Sequence, residues 1–409
     1  SFLKMIQIKL KNFIISTFSV IFAIFICLII ANIIFIKIST QKIFPRSLSG
    51  SLPSILQTFN PDTYNKNNLQ NYVAIIGGSY AQGGGDAYLT GKYNYSITHH
   101  LHNYDNKNYL IFGRAGSGSI SAVSDLIKIY KHSNLPNMIE NLKKPSSIIY
   151  LIYEGYDFEA NFLEYTSLIK TDEKINEFIS RRINENIKLN NIDKLNNIFT
   201  LVPFLGKMFD HLKSLFNKII QEKELSKIKF LFVERIKKLF GHAIILSDLK
   251  EDRSGYNNSI KNNKKIANIR PLQGAALSLT NPEILIALKV FFGSIKYIQS
   301  WSQLDKITIV YIPSPISSYT WNEPIIYETR DKKEFKTISN EKNNLNSAFI
   351  RDKINNYSKK NNIQFLDLTD YIAKKGKKTI LHGPLDWRHL NNRGYKIASN
   401  YIIENIEKN

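Results

Sequence analysis

From Tyr72 onward, short apolar runs alternate with longer stretches in which apolar residues recur every three or four positions. The runs Tyr72–Ile76, Tyr109–Phe112, Ser147–Tyr153, Ile307–Ile312 and Ile363–Leu366 predict strands. Most are apolar on both alternations, the pattern of parallel strands covered on two faces. Helical spacing predicts helices near Ser119–His132, Pro282–Ser300 and Leu345–Lys360, with a last one over Gly394–Ile406. Asn281-Pro282-Glu283 predicts a helix start, with Asn as the cap, Pro in the first position and an acid in the first turn. Such strand–helix alternation predicts a three-layer α/β/α fold around a parallel sheet.

Residues 159–279 interrupt the alternation between the third and fourth strands and read as a mostly helical insertion. Ile175, Phe178, Ile179, Ile183 and Ile187 fall on one helical face, as do Leu212, Phe216, Ile219 and Ile220, and the theme continues from Ile228 to Phe240. Gly255–Asn263 reads as an exposed loop. The plain expectation is a helical cap on the core. A sharper one is a basic amphipathic surface against a bilayer, with Phe199–Phe209 dipping into it.

At the other end, Phe13 to Ile36 is almost wholly apolar; only Ser16, Thr17, Ser19 and Asn32 carry polar side chains. A helix of that length spans roughly 36 Å, enough to cross a bilayer with some tilt. The apolar run exceeds that of a cleaved signal peptide and no small-residue cleavage site follows, so residues 1–38 read as a retained signal anchor. Lys4, Lys9 and Lys11 on one side balance Lys37, Lys42 and Arg46 on the other, so charge assigns no orientation. The habit of single N-terminal anchors places the large domain outside the cytoplasm, in the periplasm. Residues 39–70, with Pro45, Pro53 and Pro61, read as a linker carrying one short helix around Leu52–Phe59.

Composition changes this picture little. The chain has 409 residues, 43% of them hydrophobic, which supports a real core. Its formal charge of +21 could suit an anionic partner. Lys and Asn are spread along the chain, however, and no basic block interleaved with aromatics stands out, so nucleic acid is not an expected partner. An anionic-lipid or nucleic-acid binder would rest on net charge alone. The single cysteine, Cys27, excludes an intramolecular disulfide and a cysteine metal cluster.

Chemistry concentrates in two places. Val73-Ala-Ile-Ile-Gly-Gly-Ser-Tyr-Ala-Gln-Gly83 reads as a buried strand ending in a tight turn that presents the Ser79 hydroxyl. Ligands of open α/β sheets bind just beyond the carboxyl ends of strands. Near the C-terminus, Asp386 and His389 stand three apart before a helix. An Asp can accept a hydrogen bond from one nitrogen of that His, leaving the other to take a proton from a serine. Taken singly, Gly-Gly-Ser also reads as a helix cap and Asp-x-x-His as a surface turn; together they point to acyl transfer.

At these positions the chain resembles the SGNH, or GDSL-type, hydrolase family. The nucleophile block is similar to Gly77–Gly83, with Gly78 where the family has an Asp. The glycine block is similar to Phe112–Gly118, the third block falls on Glu154-Gly155-Tyr156-Asp157, and the last on Asp386 and His389. The resemblance covers 71–158 and 280–409, in order, leaving 159–279 outside it. It implies a flavodoxin-like α/β/α fold, a Ser79–His389–Asp386 triad, and an oxyanion hole built from the N–H groups of Ser79 and Gly116. Tyr156 stands where the family has an oxyanion Asn, a change that can cost ~10²–10³ in rate. The resemblance implies a serine esterase or O-acyltransferase that needs no cofactor or metal. Its expected substrate is an acyl ester, with O-acetyl the expected group, of an envelope glycan. Tyr156 motivates an alternative, a catalytically silent glycan-binding or scaffold protein of an envelope assembly.

Three smaller features complete the expectations. Trp387 would stack on a sugar ring or pack in the core. Gly83-Gly84-Gly85-Asp86 lacks the Lys-Ser/Thr of a phosphate loop and reads as a turn lining the Ser79 cleft, with Gly83 against substrate. Thr98-His-His-Leu-His102 with Asp105 reads as a solvated edge rather than a metal site.

Overall fold

Alternation within the strands decides the layers. The structure is a computed structural model. It describes residues 71–89, 95–131, 142–188, 258–261, 266–269, 271–304, 306–321, 324–328 and 335–406, with positions 19, 22, 23, 26, 27 and 30. The described strands are β1 (Val73–Gly77), β2 (Tyr109–Ile111), β3 (Ser147–Tyr153), β4 (Asn258–Lys261), β5 (Ile266–Ile269), β6 (Ile307–Ile312), β7 (Ile325–Glu328), β8 (Phe335–Ile338) and β9 (Gln364–Asp367). Five of them form one parallel sheet in the order β2-β1-β3-β6-β9. These correspond to the five strands read from the apolar runs, with ends shifted by a residue or so.

Because side chains alternate across a strand, each strand feeds two cores. Ala74, Ile76, Leu110, Ile148, Tyr150, Ile152, Ile307, Ile309 and Tyr311 face one cluster. Its helices are α4 (Ser119–Lys131), α5 (Asp157–Leu168), α6 (Ile175–Ile187), α7 (Asn281–Ser302) and α9 (Asn340–Lys360). Val73, Ile75, Tyr109, Ile149, Leu151, Val310, Ile312 and Leu366 face the other. There the cover comes from α1 (Ser79–Gln82), α3 (Ile97–Asp105), α10 (Thr369–Gly376) and α11 (Asn392–Ile406). The short helices α2 (Asp86–Leu89) and α8 (Pro315–Ser318) lie in connections. The result is a mixed α/β fold with a central parallel sheet flanked by helices, compatible with three layers. Each wholly buried Ile or Phe contributes on the order of 1.5–3 kcal/mol.

Helix α7 shows how composition alone misleads. Among the described residues it is long and apolar enough to cross a bilayer. Its Ile284, Leu288, Phe291, Ile295 and Ile298 are instead buried in the first core, beside α4, α5 and α6. That is the signature of a core helix covered on several sides. The expected Asn281 cap is corrected. Thr280 caps the helix, its N–H and hydroxyl donating to the Glu283 carboxylate at 2.7 and 2.9 Å. Glu283 stands three residues after Thr280, the reach a capping box requires, so Asn281 already belongs to the first turn.

The stretch after β3 begins as expected: α6 buries Phe178, Ile179, Ile183 and Ile187. The exposed loop read over Gly255–Asn263 is corrected, because Asn258–Lys261 pairs antiparallel with Ile266–Ile269. A second hairpin, β7–β8, was missed: Phe335, Lys336 and Thr337 are exposed, and only Ile325, with Tyr327 and Ile338, packs on a small separate cluster. Residues 189–257, including Phe199–Phe209 and the apolar faces from Leu212 to Phe240, lie outside the described residues. So do the 39–70 linker and most of Phe13–Ile36. Helical positions of that last segment leave Phe22, Ile26 and Ile30 58%, 40% and 52% exposed.

Candidate active site

The strand order reverses between β1 and β3, whose connections leave in opposite directions and open a crevice at their carboxyl ends. Ser79 follows β1 at that point. The turn needs glycine: Gly77 has φ 144°, and a Cβ there would lie 2.3 Å from the Leu151 carbonyl oxygen. The chain then enters α1, which closes at Gly83 in the left-handed region (φ 84°). Ser79 and Gln82 are half-buried while Tyr80 is buried beneath them.

His389 reaches Ser79 from 310 residues away. Its Nε2 lies 2.6 Å from Ser79 Oγ, and its Nδ1 lies 2.6 Å from Asp386 Oδ2. Burial pushes the Asp386 carboxyl up, but the His389 ring, the Arg388 N–H and the Arg388 charge outweigh it, so the carboxyl sits below its ordinary value. An ionised carboxylate only accepts, so His389 Nδ1 carries the proton and Nε2 is left to accept from the Ser79 hydroxyl. Both side chains keep some exposure, 17% and 19%, so a substrate can reach them. Tyr80 floors the site: its ring centroid is 5.1 Å from that of His389, and its hydroxyl donates to the Arg388 carbonyl at 2.8 Å.

The glycine block forms the opposite rim. Arg114 N–H donates to the Gly77 carbonyl at 3.3 Å, and Ser117 N–H closes a turn onto the Arg114 carbonyl at 3.2 Å. Gly116 takes the third place of that turn with φ 73°, where a type II turn demands glycine. It is exposed, and a Cβ there would touch nothing within 4 Å. Gln82 ties this rim to α1, its Oε1 accepting from Ala115 N–H at 2.8 Å.

After β3, the segment Glu154–Asp157 lies at the same edge of the sheet. Tyr156 caps α5 with φ −125°, half-buried, its ring against the second core. Burial, then the Glu159 and Asp157 charges, raise its hydroxyl above the ordinary value, so it keeps its proton as a donor. Among the described residues that hydroxyl has no hydrogen-bond partner, and no hydrogen bond joins Tyr156 or Gly116 to the Ser79 side chain. Trp387 lies partly buried beside the cluster of Tyr319, Trp321 and Ile316, its ring filling the space next to Gly383. Gly83 faces the protein through its carbonyl, which accepts from the Tyr95 hydroxyl.

Three acids that the sequence placed in these blocks without a role of their own support the site. Glu154 is fully buried and accepts from Ser314 N–H (2.8 Å), Tyr311 Oη (2.6 Å), Ser347 Oγ (2.7 Å), Ser314 Oγ (2.6 Å) and Ser317 Oγ. Asp157 sits with its Oδ1 2.8 Å from where a Cβ on Gly78 would stand, occupying space that a side chain at position 78 would claim. Asp86 accepts from the backbone of the Asp386 loop. An acid directly after a buried apolar strand was the available signal for Glu154; Asp157 bonds locally, to Tyr153 N–H four residues back, and Asp86 depends on long-range packing. The histidines of α3 bond elsewhere: His99 to Asn103, His100 to Asn392 and His102 to the Lys107 carbonyl.

No protein-family model matches the chain, and no curated protein matches it in sequence.

Proposed function

We propose that the chain is an SGNH-type serine hydrolase or O-acyltransferase, anchored to a membrane by its N-terminal helix. The observation that carries this is the Ser79–His389–Asp386 relay, with 2.6 Å at each link. The strand order, which reads 2-1-3-4-5 when only the five sheet strands are counted, suits the flavodoxin-like fold expected of that family.

In this reading His389 Nε2 takes the proton from Ser79 Oγ as the oxygen attacks an ester carbonyl carbon. Asp386 holds the ring and stabilises the imidazolium. The N–H groups of Ser79 and Gly116 and the Tyr156 hydroxyl receive the negative charge on the carbonyl oxygen. The alkoxide leaves with the proton from His389, and the acyl group stays on Ser79. A water, or a sugar hydroxyl, then attacks the acyl-enzyme and gives its proton to His389, which passes it to Ser79 Oγ as the bond between Oγ and the acyl carbon breaks. That acceptor decides between esterase and transferase.

The substrate we favour is an acyl ester, O-acetyl being the smallest, on an envelope glycan, with Trp387 beside the triad as the stacking surface. The apolar run Phe13–Ile36 and the exposed Phe22, Ile26 and Ile30 favour a single-pass anchor; placing the catalytic domain on the periplasmic side follows the habit of single N-terminal anchors. A second reading, a catalytically silent glycan-binding protein, is favoured by Tyr156 in the oxyanion block. Ser79→Ala, assayed in the full chain with a chromogenic acetyl ester, separates the two. Loss of turnover, together with loss of labelling by a fluorophosphonate, supports the enzyme; unchanged turnover removes it.

A further inference from the structure

The loop that follows the nucleophile returns to hold the acid and base. Gly84 N–H donates to the Ser79 carbonyl at 2.8 Å, so the loop starts rigidly from α1. A Cβ on Gly84 would lie 3.0 Å from His389 Nε2 and Cδ2, and one on Gly85 would lie 2.6 Å from the Leu390 carbonyl oxygen. The backbone thus passes directly under the imidazole. Next comes Asp86, whose Oδ1 accepts from Leu385 N–H at 3.1 Å and from Asp386 N–H at 2.7 Å. The loop is braced from behind by Tyr395 Oη on the Gly84 carbonyl, at 2.6 Å, and by Tyr95 Oη on the Gly83 carbonyl.

We propose that Asp86 is a positioning residue of the triad: its carboxylate grips the backbone of Leu385 and Asp386 and so fixes the acid and base relative to a serine seven residues before it. The inference rests on the proposed acyl-transfer reading, and it adds a fourth side chain to that machinery without giving it contact with substrate.

The chemistry favours this role over simple loop capping. Asp386 must present Oδ2 to His389 Nδ1, and its Oδ1 is already held by Arg388 N–H at 3.0 Å. The remaining freedom is a shift of the 385–386 backbone as a whole. Two N–H groups converging on one oxygen remove that freedom, because both bonds cannot keep their geometry if the loop slides. The oxygen belongs to the chain segment carrying Ser79, so the distance between nucleophile and base is set locally rather than across the molecule. A misplacement of about 1 Å in such a constellation can cost ~10²-fold in rate.

The test compares Asp86→Ala and Asp86→Asn in the full chain, with Ser79→Ala beside them. Ester turnover is measured along with the low-field proton resonance of His389 Nδ1–H. Asn keeps an oxygen acceptor at the same place; Ala does not. Expected are a fall of about 10²-fold in kcat with unchanged KM for Asp86→Ala, recovery of most of it by Asp86→Asn, and a low-field resonance present in Asp86→Asn and absent in Asp86→Ala. Parental kcat in Asp86→Ala, or a folded Asp86→Asn as impaired as a folded Asp86→Ala, overturns the proposal. Should Asp86→Ala lose its thermal transition, Asp86→Asn decides alone: near-parental kcat supports the role and a tenfold or greater loss overturns it. Should Ser79→Ala turn over ester like the parent, the acyl-transfer reading fails. The resonance then decides the grip without turnover: its loss in Asp86→Ala and retention in Asp86→Asn support it, and its survival in Asp86→Ala overturns it.

Discussion

Asp157 offers a stability test that does not depend on knowing the substrate. The residue is 5% exposed, and its carboxyl accepts one hydrogen bond, from Tyr153 N–H at 2.9 Å. Burial pushes it up from 3.8 to about 7, and the Tyr153 N–H only partly opposes this. The sign follows from linkage: below the ordinary value both folded and unfolded chains hold the proton, and nothing is lost. As pH rises towards 7 the unfolded chain releases its proton while the folded one keeps it, so stability drains away. At about 1.36 kcal/mol per pH unit, a gap of about three units makes about 4 kcal/mol, fully lost above neutral pH. Asp157→Asn stays neutral throughout, and its amide oxygen can still accept from Tyr153. Urea unfolding of the full chain in detergent, followed by tryptophan fluorescence from pH 4 to pH 8, reads the difference as a shift in midpoint at constant slope. The variant should match the parent at pH 4 and exceed it by up to about 4 kcal/mol at pH 8. Parallel pH profiles for the two proteins would refute the reasoning, since the parent's loss would then come from other groups.

Two further substitutions probe the edge of the sheet where the site sits. Glu154→Ala strands five buried donors and should cost at least about 4 kcal/mol; a folded variant with parental denaturation midpoint would show that the donors find other partners. Tyr156→Phe removes one hydroxyl and keeps the ring, so kcat should fall about 10²-fold with KM little changed; parental kcat would assign the oxyanion to backbone N–H groups alone.

The sheet was legible because four of its five strands are buried on both faces, so Val73–Gly77, Ser147–Tyr153 and Ile307–Ile312 stand out as nearly unbroken apolar runs; the edge strand β9 is only partly buried. Ser79, Asp386 and His389 were legible because their spacing on the chain encodes local chemistry: a serine after a glycine turn, an acid three residues before an imidazole. What supports them was not. Asp86, Asp157 and Glu154 act on partners 299, 4 and 160 residues away, and only the 4-residue case lies within the reach of a local pattern. The hairpin Asn258–Lys261 with Ile266–Ile269 escaped for a different reason. Asn258 and Ser259 carry no apolar alternation, and the strand is recognised by its pairing with Ile266–Ile269.

The position of His389 is decided by a helix rather than by its own loop. Asn392–Ile406 buries Tyr395, Ala398, Ile402 and Ile403 in the second core. Tyr395 packs edge-on against Tyr95, with centroids 5.9 Å apart, and sends its hydroxyl to the Gly84 carbonyl. Tyr80, between Tyr395 and Tyr153 at 6.3 and 4.7 Å, carries the imidazole on its face and binds the Arg388 carbonyl. Four aromatic rings from four parts of the chain thus meet beneath one histidine. Such rings bury large areas with few rotatable bonds, so they set position at low entropic cost. The hydroxyls of Tyr80, Tyr95 and Tyr395 each end on a backbone carbonyl of a loop that carries or touches the triad, converting core packing into loop placement. A 2.6 Å hydrogen bond between side chains 310 residues apart needs this arrangement: the loops carry Ser79 and His389, and the rings beneath them hold the distance.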